Sequence, residues 1–371
     1  MRLQLIRYFR PRPLNLRGAC FGALALVLAG ASPARAQTSF ASKVQVYVDN
    51  DRTQVVSPLV RAQADVTPTT NVTAGYVVDI VTSASIDLVT QASARTIHDV
   101  RHQGSLGASQ ILGDWSVNGG YVYSTENDYA SHGLNAGLER RLFNNNTTLA
   151  GGYALSLNQV GRAGDLNFER DLQVHTLGGT WTQMLTPHLA TQVTYTFAAA
   201  DGYQASPYRF VPVRASRREA ARLWVPESDP LQRYKHGITI GANLYLGSDT
   251  SLQGDYRFYR DTWDIVSHTL QVRYLVDLAD RFELRVRNRF YTQSAASFYR
   301  GNYGEVLTFM TIDRELGALW SEMFGFKLGW KVIPTLELEA KAELFYFSYA
   351  DFAALPSRMG ANIALGATLT Y

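Results

Sequence analysis

The chain has 371 residues, of which 46% are hydrophobic, 12% aromatic and 18% charged, and it contains a single cysteine. One cysteine excludes a disulfide framework, and the many aromatic residues, 21 Tyr and 17 Phe among them, exclude an intrinsically disordered chain. After residue 40 the sequence has no run of about 18 uncharged apolar residues, which excludes helical membrane spans.

The first 36 residues have the features of a secretory signal peptide. Five arginines precede a short apolar segment at 19–31, and Ala34 and Ala36 frame a small-residue cleavage site that leaves Gln37 as the mature N-terminus. Cleavage removes six of the 35 basic residues and no acid, so the mature chain has 29 basic and 32 acidic residues and a net charge of −3. This balance argues against nucleic-acid binding.

After residue 42 the chain alternates apolar and polar residues in segments that are separated by turn residues. Alternation with a period of two is typical of strands that have one face in lipid and the other towards a lumen. We therefore predict an all-β fold, a transmembrane antiparallel up-and-down β-barrel of about sixteen strands, with fourteen strands as the alternative. The predicted strands are 43–49, 55–66, 71–81, 99–112, 115–125, 132–143, 147–157, 171–184, 188–199, 233–247, 250–262, 265–277, 281–293, 315–330, 335–349 and 359–371.

The connections between these strands alternate between short turns, such as Gly113–Asp114, and longer segments. Outer-membrane barrels have short periplasmic turns and long extracellular loops. We therefore divide the chain into a signal peptide at 1–36 and an outer-membrane barrel at 37–371. The long extracellular loops are predicted at 82–98, 158–170, 200–232 and 294–314.

A soluble β-sandwich or propeller is the alternative fold, because it also buries every second residue. The predicted strands of about 11–15 residues are longer than sandwich strands usually are and suit an oblique crossing of a bilayer. Aromatic residues also lie near predicted strand ends, as an interfacial girdle requires. They are Trp115, Tyr123, Trp181, Trp330, Tyr346 and Tyr371.

The last predicted strand alternates up to a C-terminal aromatic residue, with Leu369 and Tyr371 as its final two alternate positions. This segment resembles the C-terminal β-signal of bacterial outer-membrane proteins, which the barrel-assembly machinery reads. The resemblance implies a Gram-negative outer membrane as the location and that machinery as a partner during biogenesis.

Several segments of the chain resemble one known family. They are GYQASPYR at 202–209, YRFYRDTW at 256–263, HTL at 268–270 and FYTQSAASFY at 290–299. They are similar to a proteobacterial family of uncharacterised exported barrel proteins whose domain has no known function. The resemblance implies the barrel fold and supplies no catalytic or binding residue.

The side chains expected to face the lumen are small or neutral on the early strands and charged on the later ones. Five acids and seven bases are candidates for a constriction that selects charged solutes, and a salt-bridge ladder that stiffens the wall is the structural alternative. Such a wall is expected to orient dipolar solutes without strong net ion selectivity. The candidates are Asp255, Arg257, Arg273, Glu283, Arg285, Arg287, Arg289, Lys327, Glu337, Glu339, Lys341 and Glu343.

Two of the predicted loops have distinctive compositions. The loop 294–314 is unusually apolar, so we expect it to fold into the pore or over its mouth and to narrow the channel. The loop 200–232 is rich in arginine, and guanidinium groups pair bidentately with phosphate. Its candidates for binding anions or lipopolysaccharide phosphate, with a solvated loop as the alternative, are Arg209, Arg214, Arg217 and Arg218.

The sequence offers no convincing catalytic or metal site. His98 and His102 would lie about 13 Å apart on a strand, at about 3.3 Å per residue, which is too far to share a metal ion. The segment Glu126–Asp128 has oxygen ligands that suit Ca²⁺, but three residues do not define a site. We therefore predict a protein that is not an enzyme and that has no cofactor and no metal.

These observations predict a porin-like channel for small polar or charged solutes, because a barrel of about sixteen strands leaves an aqueous lumen unless it is plugged. The alternative is a closed barrel that serves as a scaffold or binds partner proteins in the outer membrane. The predicted partners are outer-membrane lipid, lipopolysaccharide and small polar solutes, and not nucleic acid. A monomer and a trimer both remain open.

Overall fold

The computed structural model describes residues 37–83 and 97–371. The predicted signal peptide and most of the predicted loop 82–98 lie outside the described residues. In the described part, sixteen antiparallel strands form one closed barrel, and two short strands form a separate hairpin. The barrel strands are β1 (Thr38–Asp49), β2 (Thr53–Thr67), β3 (Thr70–Ser83), β4 (Ile97–Leu112), β5 (Trp115–Thr125), β6 (Tyr129–Leu142), β7 (Thr147–Arg162), β8 (Asp165–Thr186), β9 (Leu189–Gly202), β12 (Gln232–Gly247), β13 (Thr250–Asp261), β14 (Val266–Leu278), β15 (Phe282–Gln293), β16 (Leu319–Ile333), β17 (Leu336–Tyr349) and β18 (Ser357–Thr370), and the hairpin consists of β10 (Phe210–Val213) and β11 (Leu223–Pro226).

The first and last strands close the barrel. β1 pairs with β2 on one side and with β18 on the other, so that Val46 lies opposite Val56 and Ile363. Closure leaves the barrel sheet without an exposed edge that could pair with another chain. The prediction of an all-β barrel with sixteen strands is confirmed, and the first hairpin belongs to the barrel wall.

The two ends of the barrel have different connections. At one end short turns join the strands, and several of them use residues with positive φ, such as Ser248 (47°) and Asp249 (56°) between β12 and β13. Turns with two positive φ angles match the right-handed twist of the paired strands, which explains why polar residues occupy them. We call this end the short-turn side and the opposite end the loop side.

The structure differs from the sequence prediction at residues 158–170. β7 continues to Arg162 and β8 begins at Asp165, so this segment is mostly strand and only a two-residue turn separates β7 from β8. At the start of β8 the outward positions Asp165, Asn167 and Glu169 are polar, and Arg162 and Arg170 both stack on Phe168, at 4.5 and 4.9 Å from its ring centre. A strand whose outward face is polar lacks the apolar-outside pattern of a membrane strand, and the sequence prediction therefore missed it.

The outer face of the barrel is apolar. Leu106, Leu134, Leu177 and Leu270 are each about half exposed, and they alternate along their strands with smaller or polar inward residues. A continuous apolar surface of this extent is unfavourable in water and fits the hydrocarbon layer of a membrane. In the part of the chain that the structure describes, no helix is long and apolar enough to cross a membrane.

Candidate functional site

The charged side chains of the later strands surround a cavity of about 310 Å³ inside the barrel. Six cationic side chains and two carboxylates line it, and with the neighbouring Asp255 and Glu283 the local charge is still positive, by two units. Their strands contribute alternate, inward-facing positions, which explains why residues far apart in the sequence converge here. The lining residues are Lys43, Gln271, Arg273, Arg285, Arg287, Gly325, Phe326, Lys327, Glu339, Lys341 and Glu343.

The two carboxylates of this luminal cluster are each shared by two cations. Glu339 lies 2.5 Å from Nζ of Lys43 and 3.0 Å from Nζ of Lys327. Glu343 lies 2.8 Å from Nζ of Lys341 and 3.3 Å from a guanidinium nitrogen of Arg287. These shared pairs form the salt-bridge ladder that the sequence offered as the structural alternative, and they still leave more positive than negative charge around the cavity.

Two further arginines of the cluster have acidic neighbours and keep donor capacity. Arg273 lies 2.5 Å from Asp255, and Arg285 lies 3.3 Å from Glu283. The Nε atoms of Arg273 and Arg285 have no hydrogen-bond partner within the described residues. A buried guanidinium N–H that lacks a protein partner is a donor for water or for an anionic solute.

The structure places the remaining luminal candidates away from this cavity. Arg257 and Arg289 stack on Tyr259 and Tyr291, nearer the loop side, at 5.8 and 5.6 Å from the ring centres. Glu337 is the second residue of β17 and therefore lies near the short-turn side. The candidates thus divide into the luminal cluster and residues above or below it.

Two polar residues that line this cavity were not among the candidates from the sequence. Lys43 is on β1 and reaches Glu339 across β18, a contact that exists only because the barrel closes. Gln271 accepts hydrogen bonds from Arg287, with Oε1 2.8 Å from Nε. The alternation within β1 places Lys43 inward, but one strand alone does not reveal which charged residues it will meet.

The long loop between β9 and β12 and the loop between β15 and β16 pack against each other over the loop side of the barrel. We call residues 203–231 and 294–318 together the loop cap. Its apolar centre contains Val211, Val213, Tyr303 and Met310, which are at most 6% exposed. This packing removes part of the apolar segment 294–314 from water, because β10 of the long loop covers Tyr303 and Met310, while Val306 and Phe309 stay 53% and 40% exposed.

A buried polar group joins the two halves of the loop cap. Arg209 lies 3.1 Å from Glu227 and 2.9 Å from Asp313, and the hydroxyl of Thr311 donates to Glu227. Burial raises the pKa of the Glu227 carboxyl. Burial, together with the nearby charge of Glu227, raises the pKa of Asp229 to about 7. The positive charge of Arg209 favours the ionised form of both acids, and that of Arg233 adds to this effect at Asp229.

The loop cap is attached to opposite sides of the barrel mouth. On one side Nε of Arg162, at the β7–β8 turn, donates to the carbonyl of Pro207 at 3.0 Å. On the other side Arg217 pairs with Asp351, between β17 and β18. The β7–β8 and β17–β18 hairpins are four hairpins apart in a ring of eight, so the residues from 207 to 217 cross the mouth.

A second attachment of the loop cap is a buried salt bridge at the β1–β2 turn. Arg314 and Asp51 lie 2.8 Å apart and their side chains are 6% and 3% exposed. The hydroxyl of Tyr299 donates to the backbone carbonyl of Asp351 at 2.9 Å. These contacts hold the loop cap in place at several points around the rim.

The four loop arginines that we singled out for anion binding have different surroundings. Arg209 is engaged inside the loop cap, Arg217 pairs with Asp351, and Nε of Arg214 donates to Oδ1 of Asn302 at 3.0 Å. Arg218 is exposed. Three of the four guanidinium groups are thus committed to structural contacts within the described loops.

Three carboxylates meet near the turn between β5 and β6. Oxygen atoms of Asp99, Glu126 and Asp128 lie within 4.8 Å of one another. Burial and the charge of Asp99 raise the pKa of both Glu126 and Asp128. Asp99 also accepts a hydrogen bond from Asn127, and Asp128 accepts one from Tyr208 of the loop cap. Protein donors therefore already occupy part of this acidic group.

Comparison with protein-family models identifies the family of this chain. Residues 88–177 and 170–351 match a family described as protein of unknown function, DUF3570. The chain belongs to the DUF3570 family. The match supplies no function, and a comparison with curated proteins finds no match.

Solved structures with similar architecture are outer-membrane proteins. A bacterial polysaccharide outer membrane secretin is 8% identical, with 91% of this chain and 98% of that chain covered and a TM-score of 0.49. OprD from Pseudomonas aeruginosa is 8% identical, with 90% and 95% covered and a TM-score of 0.45. The CymD monoaromatic hydrocarbon channel is 9% identical, with 97% and 94% covered and a TM-score of 0.44.

Proposed function

We propose that this DUF3570 protein is a porin-like channel of the outer membrane that conducts small polar or charged solutes. The observation that carries the proposal is the charged cavity of about 310 Å³ inside a sixteen-stranded barrel. Barrels of this size enclose an aqueous lumen unless they are plugged. Eight charged side chains around one cavity also require water, because unpaired charges are costly in a dry interior.

The composition of the luminal cluster supports a preference for anions. Six cations and two carboxylates line the cavity, and both carboxylates already serve two cations each. A permeating anion therefore meets a positive potential at the position where the wall charges converge. This proposal is more specific than the expectation from the sequence, in which the wall charges nearly balanced.

The channel is tested by single-channel recording in planar bilayers, with protein purified from membranes after expression of the full chain. A heat-dependent gel shift first establishes that the barrel is folded. Stable open steps with a reversal potential displaced towards the chloride equilibrium potential in a KCl gradient are the expected result. Folded protein that shows no conductance steps at any voltage would refute the channel.

The second candidate is a closed barrel that binds partner proteins through its loops. The observation that favours it is the loop cap, which crosses the mouth and is tied down by the buried pair Arg314–Asp51. If this candidate is correct, deletion of the cap residues 205–228 produces conductance steps that the intact protein lacks. If the intact protein conducts, the loop cap only narrows the entrance.

The proposed location requires export and assembly steps that the sequence specifies. We propose that the signal peptide is removed at Ala36 and that the C-terminal strand, with Leu369 and Tyr371, is read by the barrel-assembly machinery. The side chain of Tyr371 is 67% exposed, which keeps it accessible to a receptor. Arg218 remains the loop arginine best suited to contact lipopolysaccharide phosphate, since it is exposed.

A further inference from the structure

Five tyrosine–histidine pairs lie on the outer face of the barrel. In each pair the tyrosine hydroxyl lies 2.6–2.8 Å from Nδ1 of a histidine on the adjacent strand. The tyrosine always belongs to a strand that runs towards the loop side, and the histidine to the strand that returns. The pairs, which we call the Tyr–His belt, are Tyr76–His102, Tyr121–His132, Tyr153–His175, Tyr195–His236 and Tyr256–His268.

The sheet register places the five pairs at regular steps around the barrel. His102 lies opposite Thr125, and the next tyrosine, Tyr121, is four residues nearer the short-turn side. Within that hairpin His132 lies opposite Tyr123, two residues nearer the loop side. From one pair to the next, the position therefore moves by two residues towards the short-turn side. This displacement is the same at each of the four steps between the five pairs. Because barrel strands are tilted and staggered, a constant displacement keeps the pairs at one height.

The height of the belt matches one boundary of the apolar band. His102 and His132 precede the short-turn ends of their strands, Leu112 and Leu142, by ten residues. With about 3.3 Å per residue and a tilt of about 40°, ten residues correspond to roughly 25 Å. The apolar band of an outer-membrane barrel is about 25 Å tall and has aromatic girdles at both edges. The belt therefore lies at the loop-side girdle, at the level of lipid head groups.

Each pair retains one polar hydrogen for an external acceptor. If the tyrosine donates to Nδ1, the imidazole carries its proton on Nε2; if Nδ1 donates, the tyrosine hydroxyl proton is left over. Within the described residues these five histidines make no other hydrogen bond. Four of the five, all except His102, are exposed on the outer face. A polar hydrogen at this position needs an acceptor that the protein does not provide.

We propose that the Tyr–His belt binds the phosphate groups of phosphorylated lipid in the outer leaflet, with each pair donating one hydrogen bond to a phosphate oxygen. Ionised phosphate is the strongest acceptor at head-group level, and hydrogen bonds to it are stronger than those to neutral acceptors. The belt lies on the outer face of the five hairpins from β3 to β14, so this part of the barrel carries the lipid-binding surface. The proposal rests on the membrane location proposed above and does not depend on whether the lumen conducts.

The barrel also contains an interruption of the belt that serves as an internal control. Continuing the same displacement from His268, which lies opposite Thr292, leads to Asn288 in the tyrosine position and Glu322 in the histidine position. Asn288 donates a hydrogen bond to the Glu322 carboxylate. A carboxylate repels phosphate, so this hairpin should bind no phosphorylated lipid.

The test measures lipid binding to protein purified from membranes after expression of the full chain. Native mass spectrometry in detergent micelles follows titration with bis-phosphorylated lipid A and with dephosphorylated lipid A. One variant, H132F/H175F/H236F/H268F, removes four imidazoles and keeps an aromatic ring at each interfacial position. The other variant, N288Y/E322H, extends the belt by a sixth pair. A heat-dependent gel shift confirms the folding of both variants.

We expect the four-histidine variant to bind lipid A about tenfold more weakly and N288Y/E322H to bind it about threefold more tightly, because hydrogen bonds to an ionised phosphate are stronger than those to neutral acceptors. Dephosphorylated lipid A should bind weakly and equally to all three proteins. An unchanged affinity for lipid A in either folded variant would overturn the proposal, as would equal binding of both lipids by the original protein. Binding of neither lipid by the folded original protein would also overturn the proposal.

Discussion

Charge reversal in the luminal cluster gives the most direct test of the proposed channel. Arg285 and Arg287 line the cavity, and replacing both with Glu changes the wall charge by four units. A unit charge about 8 Å from a permeating ion contributes about 0.5 kcal/mol in water, and salt at about 0.1 M reduces this by roughly half. A change of four charge units then destabilises a permeating anion by about 1 kcal/mol and stabilises a permeating cation by the same amount.

The expected change in the anion-to-cation permeability ratio is therefore about 20- to 30-fold, since about 2 kcal/mol separates the two ions. The assay is the reversal potential in a KCl gradient, which should change sign in R285E/R287E. R285K/R287K keeps the charge and should keep the original sign, while R285Q/R287Q should give about half of the shift. A reversal potential that is unchanged in folded R285E/R287E would refute the assignment of these residues to the ion path.

Three further predictions concern the loop cap and assembly. Met310→Ala should destabilise the loop cap by about 2–5 kcal/mol, because Met310 is 1% exposed in the apolar centre of the cap. The expected result is faster hydrogen exchange in residues 203–231 and unchanged exchange in the barrel strands. Because the raised pKa of Asp229, about 7, favours its neutral form in the folded cap, cap stability should fall as pH rises from about 4 towards 7. Asp229→Asn should flatten this dependence in exchange measured at pH 5 and pH 8, and an equally steep profile would contradict it. Deleting Tyr371 should lower the yield of membrane-inserted barrel, and a normal yield on heat-shifted gels would remove the β-signal interpretation.

The period-two pattern was sufficient to predict the strands, because each strand of a membrane barrel is apolar outside and polar inside. The segments around Leu336 and Phe282 show this alternation clearly, and β17 and β15 begin at these residues. The pattern failed at 158–170, where the outward face of β8 is polar and the strands extend beyond the apolar band. Even there only the lengths of β7 and β8 were affected, and the number of strands was not.

The functional surfaces could be predicted only in part from the sequence, because they depend on contacts between strands that are distant in the sequence. The inward charges of β15–β17 could be predicted, whereas the pairing of Glu339 with Lys43 could not, because Lys43 reaches it only through barrel closure. The buried pair of Arg209 and Glu227 depends on how two loops fold against each other.

The Tyr–His belt combines side-chain positions that follow from strand alternation with partners that only barrel closure brings together. Alternation alone places each tyrosine and each histidine on the outer face, because strand geometry is local and repeats every two residues. The partners, however, are separated by between 11 residues (Tyr121–His132) and 41 residues (Tyr195–His236). Only the register and stagger of the closed barrel bring them together, and bring all five pairs to one height, because register is set by pairing between strands and not within them.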